Sequence, residues 1–278
     1  LVRNAVTLWP GRLVLLGHPL GHTLSPRMQN AALRRANIPL AYEPLDVPRH
    51  AIDDTIDALR RSRSAGNVTI PYKEVLRSAC DRLSDTARDV GAVNTFWTAI
   101  DGALVGDNTD APAFAWAARQ LLGDVAPGAT VALLGAGGAA AAVLQAMKGW
   151  RVSRVRVYAR TADRARRLVG RFPQVASEVV GSAEAAVEGA TIIVNASPVG
   201  LHDDAAPVAP DALPTGSAVL DLAYRAGGTA LVRAARARGL RAQDGLPMLV
   251  EQGALAFERW FNVTPDREAM WNAVQDPR

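Results

Sequence analysis

The residues best suited to proton chemistry in this chain are a lysine and an aspartate, and each follows a predicted strand. Lys73 comes after the segment NVTIPY, and the chain contains only one other lysine, Lys148. A lysine, unlike an arginine, can exchange a proton once its pKa is lowered. Asp110 ends the segment GDNTD, where a helix begins and its first turn stabilises an anion. An exposed lysine and a helix-capping acid are the ordinary alternatives.

Two hydroxyls precede the first predicted helix. Thr23 and Ser25 alternate in an extended segment, and Ser25 before Pro26 predicts a helix start with serine as the N-cap. The positive end of that helix beside two hydroxyls suits a carboxylate. A purely capping role for Ser25 is the alternative.

A glycine-rich turn follows the predicted strand 131–134. Residues 135–140 read GAGGAA, which is G-x-G-x-x-A between a strand and a helix. In a Rossmann-type unit these glycines allow a tight turn and let a pyrophosphate approach the backbone at a helix N-terminus. The pattern predicts a dinucleotide site. A close strand–helix contact without a ligand is the alternative.

The next predicted strand, 155–158, indicates which dinucleotide binds. An NAD site usually has an acidic residue here for the ribose hydroxyl. This chain instead has Arg160 and Thr161, with Arg164 one turn later, and Asp163 comes too late. A guanidinium can hold a 2′-phosphate bidentately, so the sequence predicts NADP rather than NAD. A solvated arginine cluster is the alternative.

Short apolar runs alternate with helical stretches, which predicts βα units and a largely parallel sheet. The predicted strands are 13–17, 42–47, 67–70, 93–97, 104–106, 131–134, 155–158, 191–195 and 218–222, and the most distinct helices are 108–122 and 246–261. We predict a two-domain α/β fold with a ligand cleft between the domains. An N-terminal α/β substrate domain would span 1–110, completed by 245–278, and a Rossmann-type NADP-binding domain would span 111–244.

Composition excludes several other classes of protein. The 278 residues are 49% hydrophobic with a net charge of +4, which fits a globular protein. Short arginine clusters make a nucleic-acid binder a remote third candidate. The single Cys80 cannot form an internal disulfide, which fits a reducing compartment. We expect no signal peptide in residues 1–9 and no membrane span in the uncharged but glycine-rich stretch 125–147.

The order of motifs resembles that of the shikimate dehydrogenase family. The resemblance runs from residue 17 to residue 257, nearly the whole chain. The matching motifs are GHPLGHTLSP, NVTIPYKE, GAVNTF, GDNTDA, GAGGAA, ART, NASPVG, DLAY and DGLPMLVEQGALAF.

The resemblance implies a cytoplasmic enzyme of aromatic amino-acid (chorismate) biosynthesis that reduces 3-dehydroshikimate to shikimate with NADPH. It implies that Lys73 and Asp110 are the catalytic pair, with Lys73 supplying the proton. The implied contacts of the carboxylate and ring hydroxyls are Thr23, Ser25, Thr69, Asn94, Tyr224 and Gln252. The implied cofactor contacts are Gly135, Ala136, Gly137, Gly138, Ala139, Arg160, Thr161 and Arg164, with Leu222, Gly245 and Met248 near the nicotinamide and Asp85 at a peripheral acidic position. It implies no metal, no nucleic acid and no membrane partner, and it leaves room for a homodimer.

Three departures from the family pattern bear on substrate choice. Thr23 stands where serine is usual, Ala159 where asparagine is common, and RAGG follows Tyr224 where Asn-Pro is common. Two alternatives therefore stay open. One is a quinate or aminoshikimate dehydrogenase of the same superfamily, and the other is an NADP-binding regulatory protein without catalysis.

Overall fold

The computed structural model of this chain describes residues 9–21 and 23–275. These residues form two compact units. The first contains residues 9–21, 23–109 and 250–275, and the second is Asp110–Leu249. The functional assignment of the predicted domains stays a prediction, and residues 1–8 and 276–278 lie outside the described part.

The first unit contains a six-stranded sheet of order β2-β1-β3-β5-β6-β4. Its strands are β1 (Leu13–Gly17), β2 (Tyr42–Asp46), β3 (Ala65–Val68), β4 (Arg82–Leu83), β5 (Thr95–Thr98) and β6 (Leu104–Asp107). Strand β1 pairs in parallel with β2 and β3, whereas β5 runs antiparallel to β3 and β6. Its helices are α1 (Ser25–Arg35), α2 (Ile52–Arg61), α3 (Lys73–Ala79), α4 (Asp85–Val90), most of α10 (Leu246–Phe261) and α11 (Arg267–Gln275).

The second unit contains a six-stranded sheet of order β12-β11-β10-β7-β8-β9, with every pair parallel. Its strands are β7 (Thr130–Leu134), β8 (Arg154–Tyr158), β9 (Ser177–Val179), β10 (Ile192–Asn195), β11 (Ala218–Asp221) and β12 (Arg241–Gln243). Its helices are α5 (Asp110–Leu122), α6 (Gly138–Met147), α7 (Ala162–Gly170), α8 (Ala183–Val187) and α9 (Ala230–Ala237). Strands β7, β10 and β11 are almost entirely buried and apolar, as expected for parallel strands covered on both faces.

The predicted α/β class is confirmed, with two corrections in the first sheet. That sheet is mixed rather than largely parallel, because β5 returns as one arm of a hairpin with β6. Strand β3 also lies two residues earlier than predicted. Gly66 is the reason: a Cβ there would sit 2.0 Å from the carbonyl oxygen of Val14, so only glycine lets β3 pair this closely with β1.

Each sheet has its own apolar core. In the first unit, Ile52, Ile56 and Leu59 of α2 recur at helical spacing and are buried against the sheet. In the second, the buried side chains of α8 and α9 pack on β10 and β11. None of the described helices combines the length and the apolar character that crossing a membrane requires.

Candidate active site

Most of the predicted substrate residues lie at one edge of the first sheet. Parallel pairing places the ends of β1, β2 and β3 together. Because Thr95 pairs with Asn67 of β3 and with Asp107 of β6, the start of β5 and the end of β6 lie at the same edge. We call this the carboxyl edge. Loops beyond the carboxyl ends of strands are the usual location of ligand sites in α/β folds.

The segment after β1 brings Thr23 and Ser25 to the start of α1. The predicted N-cap is wrong, because Leu24 already has helical dihedral angles and occupies the cap position. Ser25 therefore lies in the first helical turn, where its side chain is buried and its backbone N–H donates to Thr23 Oγ1 at 3.3 Å. Both hydroxyl residues thus lie at the positive end of α1.

The segment after β3 places Thr69 and Lys73 at the carboxyl edge. The backbone N–H of Thr69 donates to the carbonyl of Leu16, and that of Tyr72 donates to the carbonyl of Thr69 at 2.9 Å. The carbonyl of Lys73 accepts from the N–H of Val93 at 3.0 Å, which ties α3 to the segment before β5. The lysine side chain is half-buried.

Asn94, just before β5, forms the centre of a buried amide cluster. Its Oδ1 accepts from the backbone N–H of Thr109 at 2.7 Å, and its Nδ2 donates to Thr109 Oγ1 at 2.9 Å. The same Nδ2 donates to Gln252 Oε1 at 3.3 Å, so α10 contributes to this cluster. The structure therefore brings together two of the predicted substrate residues, Asn94 and Gln252.

An ion pair between the buried Asp107 and the largely exposed Arg259 anchors the turn that leads to Asp110. Asp107 Oδ2 accepts from Arg259 Nε at 2.7 Å, and Asp107 Oδ1 accepts from Ser84 Oγ and from the N–H of Asn108. Asn108 Nδ2 in turn donates to the carbonyl of Ala92 at 2.9 Å. Each of the residues 107–109 is thus held by at least one side-chain hydrogen bond, and Asp110 follows directly as the first residue of α5. The predicted helix start at 108 is corrected to Asp110.

The glycine turn of the second unit has the backbone shape that its sequence predicts. Gly135 has a φ of +125°, and its N–H donates to the carbonyl of Tyr158 at 2.7 Å. Gly137 is the N-cap of α6, and a Cβ there would meet no atom within 4 Å. The turn therefore leaves open space at a helix N-terminus, and Gly135, Ala136, Gly137, Gly138 and Ala139 fit a pyrophosphate.

Two glycine substitutions separate folding from cofactor binding. A Cβ at Gly135 would lie 2.6 Å from the carbonyl oxygen of Ala196, at a φ unfavourable for other residues, so Gly135→Ala should lower the free energy of unfolding by about 2–4 kcal/mol. Gly137→Ala should leave that free energy nearly unchanged but raise KM for NADP. Urea unfolding without cofactor, together with steady-state kinetics, checks both. Equal stabilities of the two variants would contradict this interpretation of the turn.

The predicted 2′-phosphate residues follow β8. Arg160, Thr161 and Arg164 are all exposed, and Thr161 is the N-cap of α7, although its side chain makes no capping hydrogen bond. Asp163, the nearest acid, pairs with Arg166 at 2.6 Å. Two exposed guanidiniums beside a helix N-terminus suit a phosphate better than a ribose hydroxyl.

Two of the residues predicted near the nicotinamide, Leu222 and Gly245, lie close together in the second unit, and Met248 follows in the first turn of α10. A Cβ at Gly245 would lie 2.2 Å from the carbonyl oxygen of Leu222, and the N–H of Gly245 donates to the carbonyl of Ala223 at 2.9 Å. Glycine at 245 thus lets the start of α10 approach the segment after β11. Tyr224 is half-buried and Met248 is buried.

A buried carboxylate that the sequence analysis missed connects the loops after β10 and β11. Asp221 accepts from Asn195 Nδ2 at 2.8 Å, from the N–H of Ala223 at 3.0 Å and from Thr229 Oγ1 at 2.6 Å. Burial raises the pKa of Asp221 to about 6, although these three hydrogen bonds oppose the shift. The carboxylate of Asp244 raises it further. The sequence did offer a signal: the motifs NASPVG and DLAY begin with Asn195 and Asp221, polar residues that each end a buried apolar strand.

This pKa predicts how stability depends on pH. The pKa of Asp221 is raised from 3.8 to about 6 in the folded protein, so at acidic pH the buried carboxyl is neutral and costs no stability. As pH rises from 3.8 to about 6 the carboxyl ionises, and the free energy of unfolding decreases. The shift corresponds to about 3 kcal/mol. Relative to wild type, Asp221→Asn should therefore gain stability between pH 4 and pH 7, measured by urea unfolding with the exposed Asp211→Asn as control. A stability difference that stays constant with pH would contradict this assignment.

Two further polar residues of the first unit are Asp85 and Cys80. Asp85, predicted as a peripheral cofactor contact, lies at the start of α4 with its side chain exposed and paired with Arg88. Burial raises the pKa of the Cys80 thiol to about 12, so it is not a thiolate nucleophile at neutral pH. Across residues 9–21 and 23–275, no three His, Cys, Asp or Glu side chains form a group that could hold a metal ion.

The fold and the site define a class. A parallel sheet with a glycine turn before α6 and arginines after β8 is a Rossmann-type nucleotide unit, and it accompanies a smaller mixed α/β unit with a polar carboxyl edge. The chain is thus a two-domain α/β protein of the dinucleotide-binding class.

Known proteins make the assignment more specific. Residues 15–96 match the shikimate dehydrogenase substrate binding domain, residues 117–199 the shikimate / quinate 5-dehydrogenase family, and residues 245–275 the shikimate 5′-dehydrogenase C-terminal domain. The NADP(+) shikimate dehydrogenase of Rubrobacter xylanophilus is 44% identical over 94% of both chains. That of Methylobacterium radiotolerans is 41% identical over 91% of this chain and 92% of its own.

Solved structures agree with these relatives. The crystal structure of shikimate 5-dehydrogenase from Thermus thermophilus, in complex with NADP(H) and shikimate, has a TM-score of 0.84 and 38% identity. It covers 95% of this chain and 98% of that one. The chain belongs to the shikimate dehydrogenase family.

Proposed function

We propose that this chain catalyses the reversible, NADP-dependent reduction of 3-dehydroshikimate to shikimate, an oxidoreductase step of aromatic amino-acid biosynthesis. The observation that carries the proposal is the carboxyl edge of the first sheet. There, hydroxyls, amides and a lysine lie on neighbouring strand ends, in a chain whose second unit has an open glycine turn. Such an edge suits a small acid with several hydroxyls.

The carboxylate of the substrate would be held at the start of α1. Thr23 and Ser25 place two hydroxyl side chains at the positive end of that helix, which stabilises an anion. The ring hydroxyls would be held by the remaining polar groups, whose amides and hydroxyls both donate and accept. These are Thr69, Asn94, Tyr224 and Gln252.

Lys73 and Asp110 would carry the proton chemistry. In the reducing direction Lys73 gives a proton to the oxygen that develops negative charge, and in the oxidising direction it takes that proton back. Asp110 would orient the ammonium group and accept a hydrogen bond from a ring hydroxyl. Each residue lies at the start of a helix that directly follows a strand-end segment, which fixes its backbone position.

The second unit would bind the cofactor. NADP, when bound, supplies or accepts the hydride. The backbone of residues 135–139 would hold the pyrophosphate, Arg160, Thr161 and Arg164 the 2′-phosphate, and Leu222, Gly245 and Met248 would flank the nicotinamide. Asp85 stays a proposed peripheral contact.

Quinate is the alternative substrate, and one residue favours considering it. Thr23 adds a methyl group beside the proposed carboxylate site, where the family usually has serine. Steady-state kcat/KM for shikimate and for quinate, measured in parallel with NADP, decides between them. A higher kcat/KM for shikimate supports the proposal, whereas a preference for quinate overturns it.

The proposal includes a cytoplasmic location and a homodimer. Sedimentation velocity checks the assembly: a particle of about twice the 29.4 kDa chain mass supports a dimer, and a particle of the chain mass rejects it.

A further inference from the structure

A chain of buried polar side chains crosses the first sheet behind the carboxyl edge. Its four members come from β2, β3, β5 and the segment after β6, and each is at most 5% exposed: Tyr42, Asn67, Thr95 and Thr109. None of them belongs to the predicted substrate or cofactor contacts. We call this group the polar chain.

The polar chain has a fixed hydrogen-bond direction at its buried end. Asn67 Nδ2 lies 3.1 Å from the carbonyl oxygen of Asn94, which can only accept, so this side of the Asn67 amide must be the nitrogen. The oxygen of the same amide therefore faces Tyr42, whose hydroxyl donates to it at 2.8 Å. Burial raises the pKa of Tyr42 well above its usual range, so the hydroxyl keeps its proton.

The same direction continues through the two threonines. Asn67 Nδ2 also donates to Thr95 Oγ1 at 3.0 Å. The hydroxyls of Thr95 and Thr109 lie 3.2 Å apart and either can donate, but when the Thr109 proton points to Asn94 Oδ1 at 3.3 Å, Thr95 is the donor. Thr109 in turn contacts the Asn94 amide on both sides: its N–H donates to Oδ1 at 2.7 Å, and its Oγ1 accepts from Nδ2 at 2.9 Å.

The Asn94 amide therefore has only one orientation that satisfies its neighbours. An N–H group of the backbone must face an oxygen, so Oδ1 points to Thr109 and Nδ2 points to Thr109 Oγ1 and Gln252 Oε1. Reversing the amide would place Asn94 Nδ2 against the backbone N–H of Thr109, so two donors would face each other in a buried site. The free-energy cost would be comparable to that of leaving a buried hydrogen-bond donor unsatisfied.

We propose that Thr95, supported by Asn67 and Tyr42, is a positioning residue that fixes the side-chain amide of Asn94, and through it Gln252, in the orientation that receives the substrate ring. This inference rests on the proposed function, because it assigns the amide a substrate. Thr95 itself has no exposed surface and reaches the Asn94 side chain through Thr109.

Strand β5 offers a matched pair of threonines for the test. Thr95→Val removes the hydroxyl of the polar chain and keeps the side-chain shape, and Thr95→Ser restores the hydroxyl. Thr98→Val is the control, because the Thr98 hydroxyl donates to the carbonyl of Ser64 at the opposite end of the same strand. Thermal unfolding of all variants checks that they are folded.

Steady-state kinetics give the expected pattern. Thr95→Val should raise KM for shikimate about tenfold, with kcat changed less than about threefold and KM for NADP unchanged. Thr95→Ser should return KM to within about threefold of wild type, and Thr98→Val should leave it unchanged. The proposal is overturned if Thr95→Val keeps the wild-type KM, or if Thr98→Val raises KM equally.

A second measurement separates this inference from the proposed function. If the wild-type chain does not oxidise shikimate, the function fails, but the positioning role can still be measured by NMR. Side-chain amide protons of Asn94 should exchange slowly with solvent in wild type and Thr98→Val, and markedly faster in Thr95→Val. Equal exchange in all three proteins would reject the role of Thr95.

Discussion

Replacing Lys73 with alanine should lower kcat for shikimate oxidation by at least about 10²-fold while KM changes little. A general acid or base acts on the transition state, where the proton moves, and contributes little to binding of the ground state. The position supports this role: Lys73 starts α3 at the carboxyl edge, and its carbonyl is tied to Val93, next to Asn94. The measurement is steady-state kinetics at saturating NADP.

The only other lysine in the sequence provides the control. The Nζ of Lys148 lies 5.6 Å from the ring centre of Phe172, in the second unit. Lys148→Ala should therefore keep kcat within about twofold of wild type. A Lys73→Ala protein with near-normal kcat would remove Lys73 from the mechanism. A Lys73→Ala protein with a raised KM and an unchanged kcat would make Lys73 a binding residue instead.

Removing the arginines after β8 should change cofactor choice rather than catalysis. Arg160→Ala combined with Arg164→Ala should raise KM for NADP by about 10²-fold and leave the kinetics with NAD almost unchanged. The reason is that the 2′-phosphate distinguishes the two cofactors and would lose its charge-assisted hydrogen bonds. Steady-state kinetics with NADP and with NAD give the ratio of the two kcat/KM values, which measures cofactor selectivity.

Arg166→Ala is the matched control for this experiment. Arg166 lies two positions after Arg164, about 200° around α7, and it pairs with Asp163. It should leave KM for NADP unchanged. If the double variant weakened NADP and NAD equally, the arginines would contact a part common to both cofactors, and the predicted basis of NADP selectivity would be wrong.

Features set by local sequence were predicted well. The glycine turn is one: the pattern G-x-G-x-x-A predicts a tight turn between a strand and a helix, and Gly135 makes that turn with a φ of +125°. The fold class follows from the alternation of strand and helix patterns, and it is confirmed. The predicted cofactor, NADP, is confirmed by the relatives that are named NADP(+) shikimate dehydrogenases.

Features that depend on distant partners were not predicted. The position of β3 depends on how closely Gly66 approaches Val14, 52 positions away in the sequence. Glycine usually weakens a strand, so the sequence placed the start of β3 after Gly66 rather than before it. Likewise, the antiparallel direction of β5 follows from its hairpin with β6. The N-cap prediction at Ser25 failed because Leu24 already has a helical backbone.

The buried polar groups behind the site also could not be predicted from the local sequence pattern. Asp221 and Asn67 look like ordinary strand-end residues in the sequence. Their importance comes from partners such as Thr229 and Tyr42, which only the fold places within hydrogen-bond distance. Predicting them requires the register of the sheets, because a one-residue slip would move each side chain to the other face.

The most direct test of the proposed activity uses shikimate that carries deuterium on the carbon bearing the oxidised hydroxyl. After incubation of the wild-type protein with this substrate and NADP, mass spectrometry is applied to the reduced cofactor. Direct transfer predicts that the deuterium is found in NADPH, in amounts equal to the 3-dehydroshikimate formed. Deuterium recovered in water, or labelled shikimate that stays unchanged while NADP binds, would contradict it.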